Sequence, residues 1–540
     1  MRTGKVVYTT LLFLLCHSII AQDNISALIP MPAKVETYEA KKPFNLKKPC
    51  KITGNLPQSS PLLTKFFAIV EERTGVTLTS SKGAIIDISI NNINDNPEAY
   101  SLHVTNKKIA ISGNSEAGIF YALQTLDQIL LGDRTNSREG KIAPISIEDS
   151  PRYGHRAVML DPARHFIPVN DIKFFIDLMA RYKYNKLQLH LTDDQGWRIE
   201  IKSHPGLTEI GAKRNTSQGM NGPDNGYYTQ EQLKDIIAYA AERHIEIIPE
   251  IDIPGHSVAI LTTYPQLGCK FRQEDKKILG ETTNMMLCAN ESQVYNILED
   301  IIREIAAIFP SRKIHLGGDE AAVSRNWAQC DSCLALMKRA GYDEPSELMN
   351  IFFAKTLDIV RRYGKEAILW CELDNMWPPA NDYMFPYPSD VTLVTWRNAL
   401  TPKCIELTRK YGHKLIMAPG EHTYLDYPQW RNDLPEFGNW GMPTTTLEQS
   451  YRLDPSYGLP NEQQTHIQGV MATMWAEAIK DINRLNYMFF PRGIAIAEAG
   501  WSTMEQRNWE SFKERLIPNL NDLMQRGVSF RVPFEIYPRK

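Results

Sequence analysis

Eight short apolar runs recur between residues 157 and 475, at 157–160, 187–191, 246–251, 313–317, 367–370, 392–396, 414–418 and 470–475. Helical patterns separate many of them, at 172–182, 230–243, 293–309 and 348–363. Predominantly apolar runs of this length suit strands buried on both faces, and regular alternation with helices implies parallel pairing. Eight such units are the count of a (β/α)8 TIM barrel, which places this chain in the α/β class. A doubly wound open sheet is the alternative, because little obvious helix follows the fifth run and a long loop separates the seventh and eighth. No GxGxxG or P-loop follows any strand, so no dinucleotide or phosphate cradle is expected.

The segment in front reads differently. Between residues 22 and 150, β-rich stretches at 84–90 and 108–111 accompany one strong helix at 115–131. In that helix Ile119, Leu123, Leu126 and Leu130 repeat on one face. The expected organisation is a signal peptide over 1–21, a smaller α+β domain over 22–150, and the barrel over 151–540. Arg2 and Lys5 precede an apolar run from Val6 to Leu15, and small or tolerated residues lead to Ala21. That layout is a secretory leader cleaved near Ala21, too short for a membrane span. Export to the periplasm, cell surface or medium follows. Lipid anchoring at Cys16 is the lesser reading, because Leu15 is large where a small residue is wanted.

Charge narrows the partners. Sixty Lys and Arg against 63 Asp and Glu leave a formal net charge of −3, so no polyanion-binding excess exists and nucleic acid is not an expected partner. Of eight cysteines, seven remain once Cys16 leaves with the leader. Cys330 and Cys333 look like half a zinc site, but no second CxxC or His pair accompanies them. A local disulfide or two free thiols is the reading there, and neither metal nor cofactor is expected. Cys269 and Cys288 lie 19 positions apart on one loop of a chain read as exported, so a disulfide between them is expected.

In a barrel of this kind, reactive groups sit at the C-terminal ends of the strands. The first run ends in Asp161, Arg164 and His165, the second in Asp193, Asp194 and Trp197, the third in Asp252 and His256. The fourth gives Gly317-Gly318-Asp319-Glu320, the fifth Trp370 and Glu372, the sixth Trp396, the seventh leads to Tyr424 and Asp426, and the eighth ends in Trp475 and Glu477. Singly, each has a plain explanation. Asp319-Glu320 could start a helix, His256 could be a packed histidine, and the tryptophans could be core. Recurrence at every strand end favours a site instead. Carboxylates, a cation and indoles on one rim are what a sugar needs: acids for its hydroxyls and for proton transfer, flat rings for its C–H face.

The motifs themselves resemble those of the family 20 glycoside hydrolases, the β-N-acetylhexosaminidases. The likeness rests on residues 117–126 (AGIFYALQTL), 159–166 (MLDPARHF) and 315–320 (HLGGDE), and it spans nearly all the mature chain. The resemblance implies Glu320 as acid/base, Asp319 as the residue orienting the substrate acetamide, and Asp193 and His256 in support. It implies Arg164 as a binder of sugar hydroxyls, Trp370, Trp396 and Trp475 as an acetamide pocket, and Tyr424 as donor to the acetamide carbonyl. Asp426 and Glu477 correspond to contacts with O6 and O4. The implied substrates are glycans ending in β-linked GlcNAc or GalNAc.

Elementary chemistry runs in parallel. Asp319 and Asp193 disfavour another negative charge, so Glu320 is expected to hold its proton more tightly than usual. Two adjacent residues cannot readily flank an anomeric carbon from opposite faces, so the substrate's own acetamide oxygen is the expected nucleophile, giving an oxazolinium intermediate and retention. Alternatives are a lacto-N-biosidase, which needs an open second subsite, a glycan-binding module without catalysis, and a metal-dependent hydrolase, for which the histidines form no ligand set.

Overall fold

The structure is a computed structural model describing residues 25–38, 41–78, 82–214, 224–269, 286–372, 387–396, 398–430 and 442–537. The leader, with Cys16 and Ala21, lies outside these residues. Among the described residues no helix is long and apolar enough to cross a membrane. The chain divides into two compact units.

The first unit comprises the chain up to residue 153, residues 180–183, and everything from residue 497. Its six-stranded sheet contains β1 (Lys34–Thr37), β2 (Cys50–Gly54), β3 (Ala84–Ile90), β4 (Tyr100–Val104), β5 (Lys108–Gly113) and β6 (Ile145–Asp149), in the order β1-β6-β4-β5-β3-β2. The β2-β3 and β3-β5 pairs are parallel and the others antiparallel. In β4 and β5 burial alternates residue by residue, so Leu102, Ile109 and Ile111 face the core.

Helix α1 (Pro61–Thr74) packs on α2 (Glu116–Gly132), which covers β4 and β5. Ser115 caps α2 by accepting from the Ala117 and Gly118 amides. Gly118 is required by close approach, because a Cβ there would stand 2.3 Å from the Ala99 carbonyl oxygen. The expected single apolar face of α2 is an understatement: the helix is buried from Gly118 to Leu131, polar residues included. Those polar groups have partners. Gln128 exchanges hydrogen bonds with the Ile29 backbone, and Asp127 meets Arg73 at 2.6 Å and Arg181 at 3.2 Å.

The second unit, residues 154–179 and 184–496, is a closed eight-stranded barrel. Its strands are β7 (His155–Leu160), β8 (Lys186–His190), β9 (Glu246–Glu250), β10 (Lys313–His315), β11 (Glu366–Trp370), β12 (Thr392–Val394), β13 (Lys414–Met417) and β14 (Ile467–Met474). All eight sequence runs are strands, every pair is parallel, and β14 closes on β7 from Gly469↔His155 to Met474↔Leu160. The open-sheet alternative is thereby excluded. Helices α3 (Val169–Arg181), α4 (Gln230–Ala241), α5 (Ser292–Ile308), α6 (Asp331–Ala340), α7 (Leu348–Arg362) and α8 (Thr401–Tyr411) lie between strands. Ala157, Met159, Ile248, Ile368, Trp370, Val394, Ile416, Ala418 and Met471 fill the barrel, with Trp396 and Trp475 packed against them.

The boundary between units departs from a simple cut at residue 150. Helix α9 (Ile482–Phe489) stays with the barrel unit, but from residue 497 the chain, including the end of α10 (Arg492–Trp501) and all of α11 (Trp509–Gln525), clusters with the first unit. The reason is electrostatic as well as apolar. Asp522 of α11 sits 2.6 Å from Arg73 and 2.5 Å from Arg181, and these groups are nearly buried.

Candidate active site

The barrel strands stop early and hand over to loops that carry the polar groups. Strand β10 ends at His315, and residues 316–322 are irregular, so Asp319 and Glu320 do not start a helix. The turn is forced by its glycines. Gly317 has φ +65, and a Cβ there would fall 1.7 Å from Asp252 Oδ1. The Gly318 amide donates to that oxygen at 3.3 Å. Glu320 (φ +44) and His256 (φ +46) both occupy the left-handed region that side chains resist. Such strain is held where the surroundings over-determine a position.

Five of the expected residues form one chain of charge. Arg164 Nη2 lies 2.8 Å from Asp193 Oδ2, and Nε donates to Gln195 Oε1 at 3.0 Å. Asp193 Oδ1 accepts from His256 Nδ1 at 3.2 Å. His256 Nε2 then stands 3.8 Å from Asp319 Oδ2 and 3.6 Å from Glu320 Oε2. Burial works against the charged form of His256, but Asp193 outweighs it and raises its pKa well above the ordinary range. Burial likewise pushes Asp193 up, and the Arg164 and His256 charges bring it well below the usual carboxylate value. Asp194, buried beside Asp193, is pushed up to about 7.

Asp319 and Glu320 differ sharply despite adjacency. Asp319 is buried, which together with the neighbouring Glu320 raises its pKa, and its Oδ1 has no hydrogen-bond partner among the described residues. The Glu320 side chain is 53% exposed, with its amide donating to Glu372 Oε2 at 3.2 Å. The cation of His256 opposes the like-charge effect that the sequence suggested for Glu320.

The aromatic residues form a contiguous wall. Trp370 and Trp475 have ring centroids 5.8 Å apart, Tyr424 lies 6.4 Å from Trp475, and the Arg164 guanidinium sits 4.9 Å over the Trp475 ring. Core and platform are not alternatives here: Trp370 is fully buried, while Trp396 and Trp475 cap the barrel core and keep part of their surface open. Glu477 feels Arg164 and Asp161, and Asp426 feels Glu477, so both acids belong to the same cluster. Burial raises the pKa of each. All eleven residues singled out from the sequence thus lie at the C-terminal end of the barrel.

Beneath them is a layer that strand-end reasoning missed. His190 Nε2 bonds Asp193 at 2.8 Å and its Nδ1 lies 3.0 Å from Glu250. Glu250 also accepts from Gln188 Nε2 at 2.7 Å and Trp370 Nε1 at 3.1 Å. Burial would lower the His190 pKa, yet Glu250 and Asp193 raise it. The available signal was an ionisable residue at the end of an otherwise apolar strand interior, and the two strands pair with His190 opposite Glu250. These His and carboxylate groups come within metal-binding reach of each other, and among them His190 pairs with Asp193 and Glu250, and His256 with Asp193.

The sequence profile of the glycosyl hydrolase family 20 catalytic domain matches residues 153–504, and that of the family's domain 2 matches residues 26–150. This chain belongs to glycosyl hydrolase family 20. Among family 20 relatives, a β-hexosaminidase of Akkermansia muciniphila is 40% identical over 432 residues, which is 79% of this chain and 84% of that protein. A crystal structure of a β-N-acetylhexosaminidase superposes with TM-score 0.76 at 35% identity, covering 93% of this chain and 95% of that one. The family 20 exo-β-N-acetylglucosaminidase of Vibrio harveyi, solved in complex with N-acetylglucosamine, gives TM-score 0.79 at 31% identity over 94% of this chain and 79% of that one.

The structure corrects one expectation about the cysteines. Cys269 and Cys288 are not joined, and all seven described cysteines are free. The reason is spatial: Cys333, from the first turn of α6, stands 3.8 Å from Cys269 and 3.5 Å from Cys288.

Proposed function

We propose that this glycoside hydrolase is an exo-acting β-N-acetylhexosaminidase that releases terminal β-linked GlcNAc or GalNAc from glycans, with retention and with help from the substrate's own acetamide. The observation that carries the reading is the division of labour between Asp319 and Glu320. One is buried with an oxygen awaiting a donor, and the other is half exposed at the rim.

Glu320 is positioned as the acid that protonates the departing glycosidic oxygen, then as the base that takes a proton from water. Asp319 Oδ1 accepts the acetamide N–H and offsets the positive charge that develops as the ring closes. Trp370, Trp396 and Trp475 wall the acetyl group and keep water from competing, while Tyr424 supplies a hydroxyl for the acetamide carbonyl. Holding that carbonyl near the anomeric carbon is an effective-molarity gain of roughly several kcal/mol. Arg164, anchored by Asp161 and Asp193, is the cation that meets the sugar hydroxyls. Asp426 and Glu477 take O6 and O4. The leader-like N-terminus supports action outside the cytoplasm, in the periplasm, at the cell surface or in the medium.

Comparing an aryl β-N-acetylglucosaminide with the matching β-glucoside tests the reading. The first should be cleaved, with the β-anomer released first by NMR. A thiazoline mimic of the cyclised intermediate should bind far more tightly than GlcNAc. Ready hydrolysis of the glucoside, which has no acetamide, would refute it.

A further inference from the structure

Four cysteine sulfurs meet outside the catalytic cluster. Cys269, Cys288, Cys330 and Cys333 place their Sγ atoms all within 4.8 Å of one another. Cys288, Cys330 and Cys333 are buried and Cys269 is partly exposed. The separations from Cys333, 3.8 Å to Cys269 and 3.5 Å to Cys288, are too long for bonded sulfurs, which sit about 2.0 Å apart. They match instead the edge of a tetrahedron of thiolates around one ion: with zinc–sulfur bonds of about 2.3 Å, that edge is about 3.8 Å.

We infer that these four cysteines form a structural zinc site. Two further features suit thiolates rather than thiols. The amides of Asn290 and Cys333 are directed at the sulfurs of Cys288 and Cys330. Cys330 is the N-cap of α6 and Cys333 lies in its first turn, where the helix dipole favours negative charge. Four protein ligands close the coordination sphere, as in structural rather than catalytic zinc sites. Binding exchanges four S–H protons for one Zn²⁺, with no change in oxidation state.

The site's place in the fold gives it a role. Cys269 and Cys288 lie on the segment after β9, which also carries His256, while Cys330 and Cys333 follow Asp319 and Glu320 where the loop after β10 enters α6. Zinc therefore staples together the two loops that present the charged end of the active site. Protein contacts run along the same seam: Trp327 Nε1 donates to the Leu287 carbonyl at 2.9 Å and Asn290 Nδ2 to Ser332 O at 2.9 Å. The CxxC pair lacked a visible partner in the sequence because the other two ligands stand 64 and 45 positions from Cys333.

The test is metal analysis of the full chain purified without chelator, with thiols counted before and after unfolding. One zinc per chain is expected, released by a mercurial thiol reagent and retained in Cys50→Ser. Cys330→Ser and Cys269→Ser should lose it. Because those variants can misfold, wild-type protein stripped and reloaded with Co²⁺ provides a second readout: a tetrahedral tetrathiolate gives intense visible absorption. Chelation should also lower the melting temperature. Absence of zinc together with no cobalt spectrum, iron in its place, or two disulfides in unreduced peptide maps overturns the assignment, whatever the outcome of the glycosidase assays.

Discussion

Replacing His256 with Gln tests the electrostatic wiring of the acid directly. His256 is a cation whose Nε2 stands 3.6 Å from Glu320 Oε2, and a nearby cation favours the ionised carboxylate. Coulomb's law at that distance gives about 1 kcal/mol in bulk water and about 5 kcal/mol at an effective dielectric near 20. The half-exposed Glu320 side chain belongs toward the lower end, since solvent screens it. A loss of roughly 1 to 2 kcal/mol corresponds to about one pH unit. Without the cation Glu320 holds its proton to higher pH. The alkaline limb of kcat/KM on a substrate with a poor leaving group should therefore move up by about one unit in His256→Gln, even as the maximum falls. With an acidic phenol as leaving group, which needs little protonation, the limb should be shallow in both proteins. An alkaline limb that stays in place or moves down would refute the reasoning.

Glu320→Gln should cost roughly 10²- to 10⁴-fold on poor leaving groups and much less on acidic phenols, and equal losses on both would remove it as the acid. Burial and Glu477 hold the Asp426 carboxyl well above its usual range, so it ionises only as pH rises. The preference for neutral terminal GlcNAc over its 6-sulfate should then grow with pH, approaching at most about 4 kcal/mol, and be flat in Asp426→Asn; identical kcat/KM ratios in both proteins would take Asp426 out of the O6 contact. Asp522→Asn breaks a nearly buried carboxylate from Arg73 and Arg181 and should destabilise by about 3 to 5 kcal/mol in denaturant titration. Burial pushes Asp127 and Asp522 up, but the arginines outweigh it and leave both below their ordinary values. The stabilisation is therefore complete above the unfolded pKa of about 3.9 and lost as pH falls through the depressed folded values, a loss that Asp522→Asn should blunt in acid unfolding.

Local pattern made much of the molecule legible. Strand and helix periods depend on neighbours within a few residues, so the eight barrel strands and the α2 helix follow from apolar spacing alone. A parallel barrel then puts every strand end on one rim, which is why Arg164, Asp193, His256, Asp319 and Trp475 could be grouped before any contact was known.

Only the folded chain could decide which distant groups share a buried environment. Periodicity does not report pairings across tens or hundreds of residues. Glu250 looks like any strand residue until His190, Gln188 and Trp370 are seen around its carboxylate. Asp522 looks like a surface acid on α11 until Arg73 and Arg181 close on it, and that closure places the C-terminal helix with the first unit. Cys269 and Cys288 suggest a disulfide by spacing, but bond formation depends on distances of a few ångströms, and it is tertiary packing that brings Cys330 and Cys333 to them. The sequence supplied the residue types and their local period; burial and proximity, which set charge states and ligand sets, came from the tertiary structure.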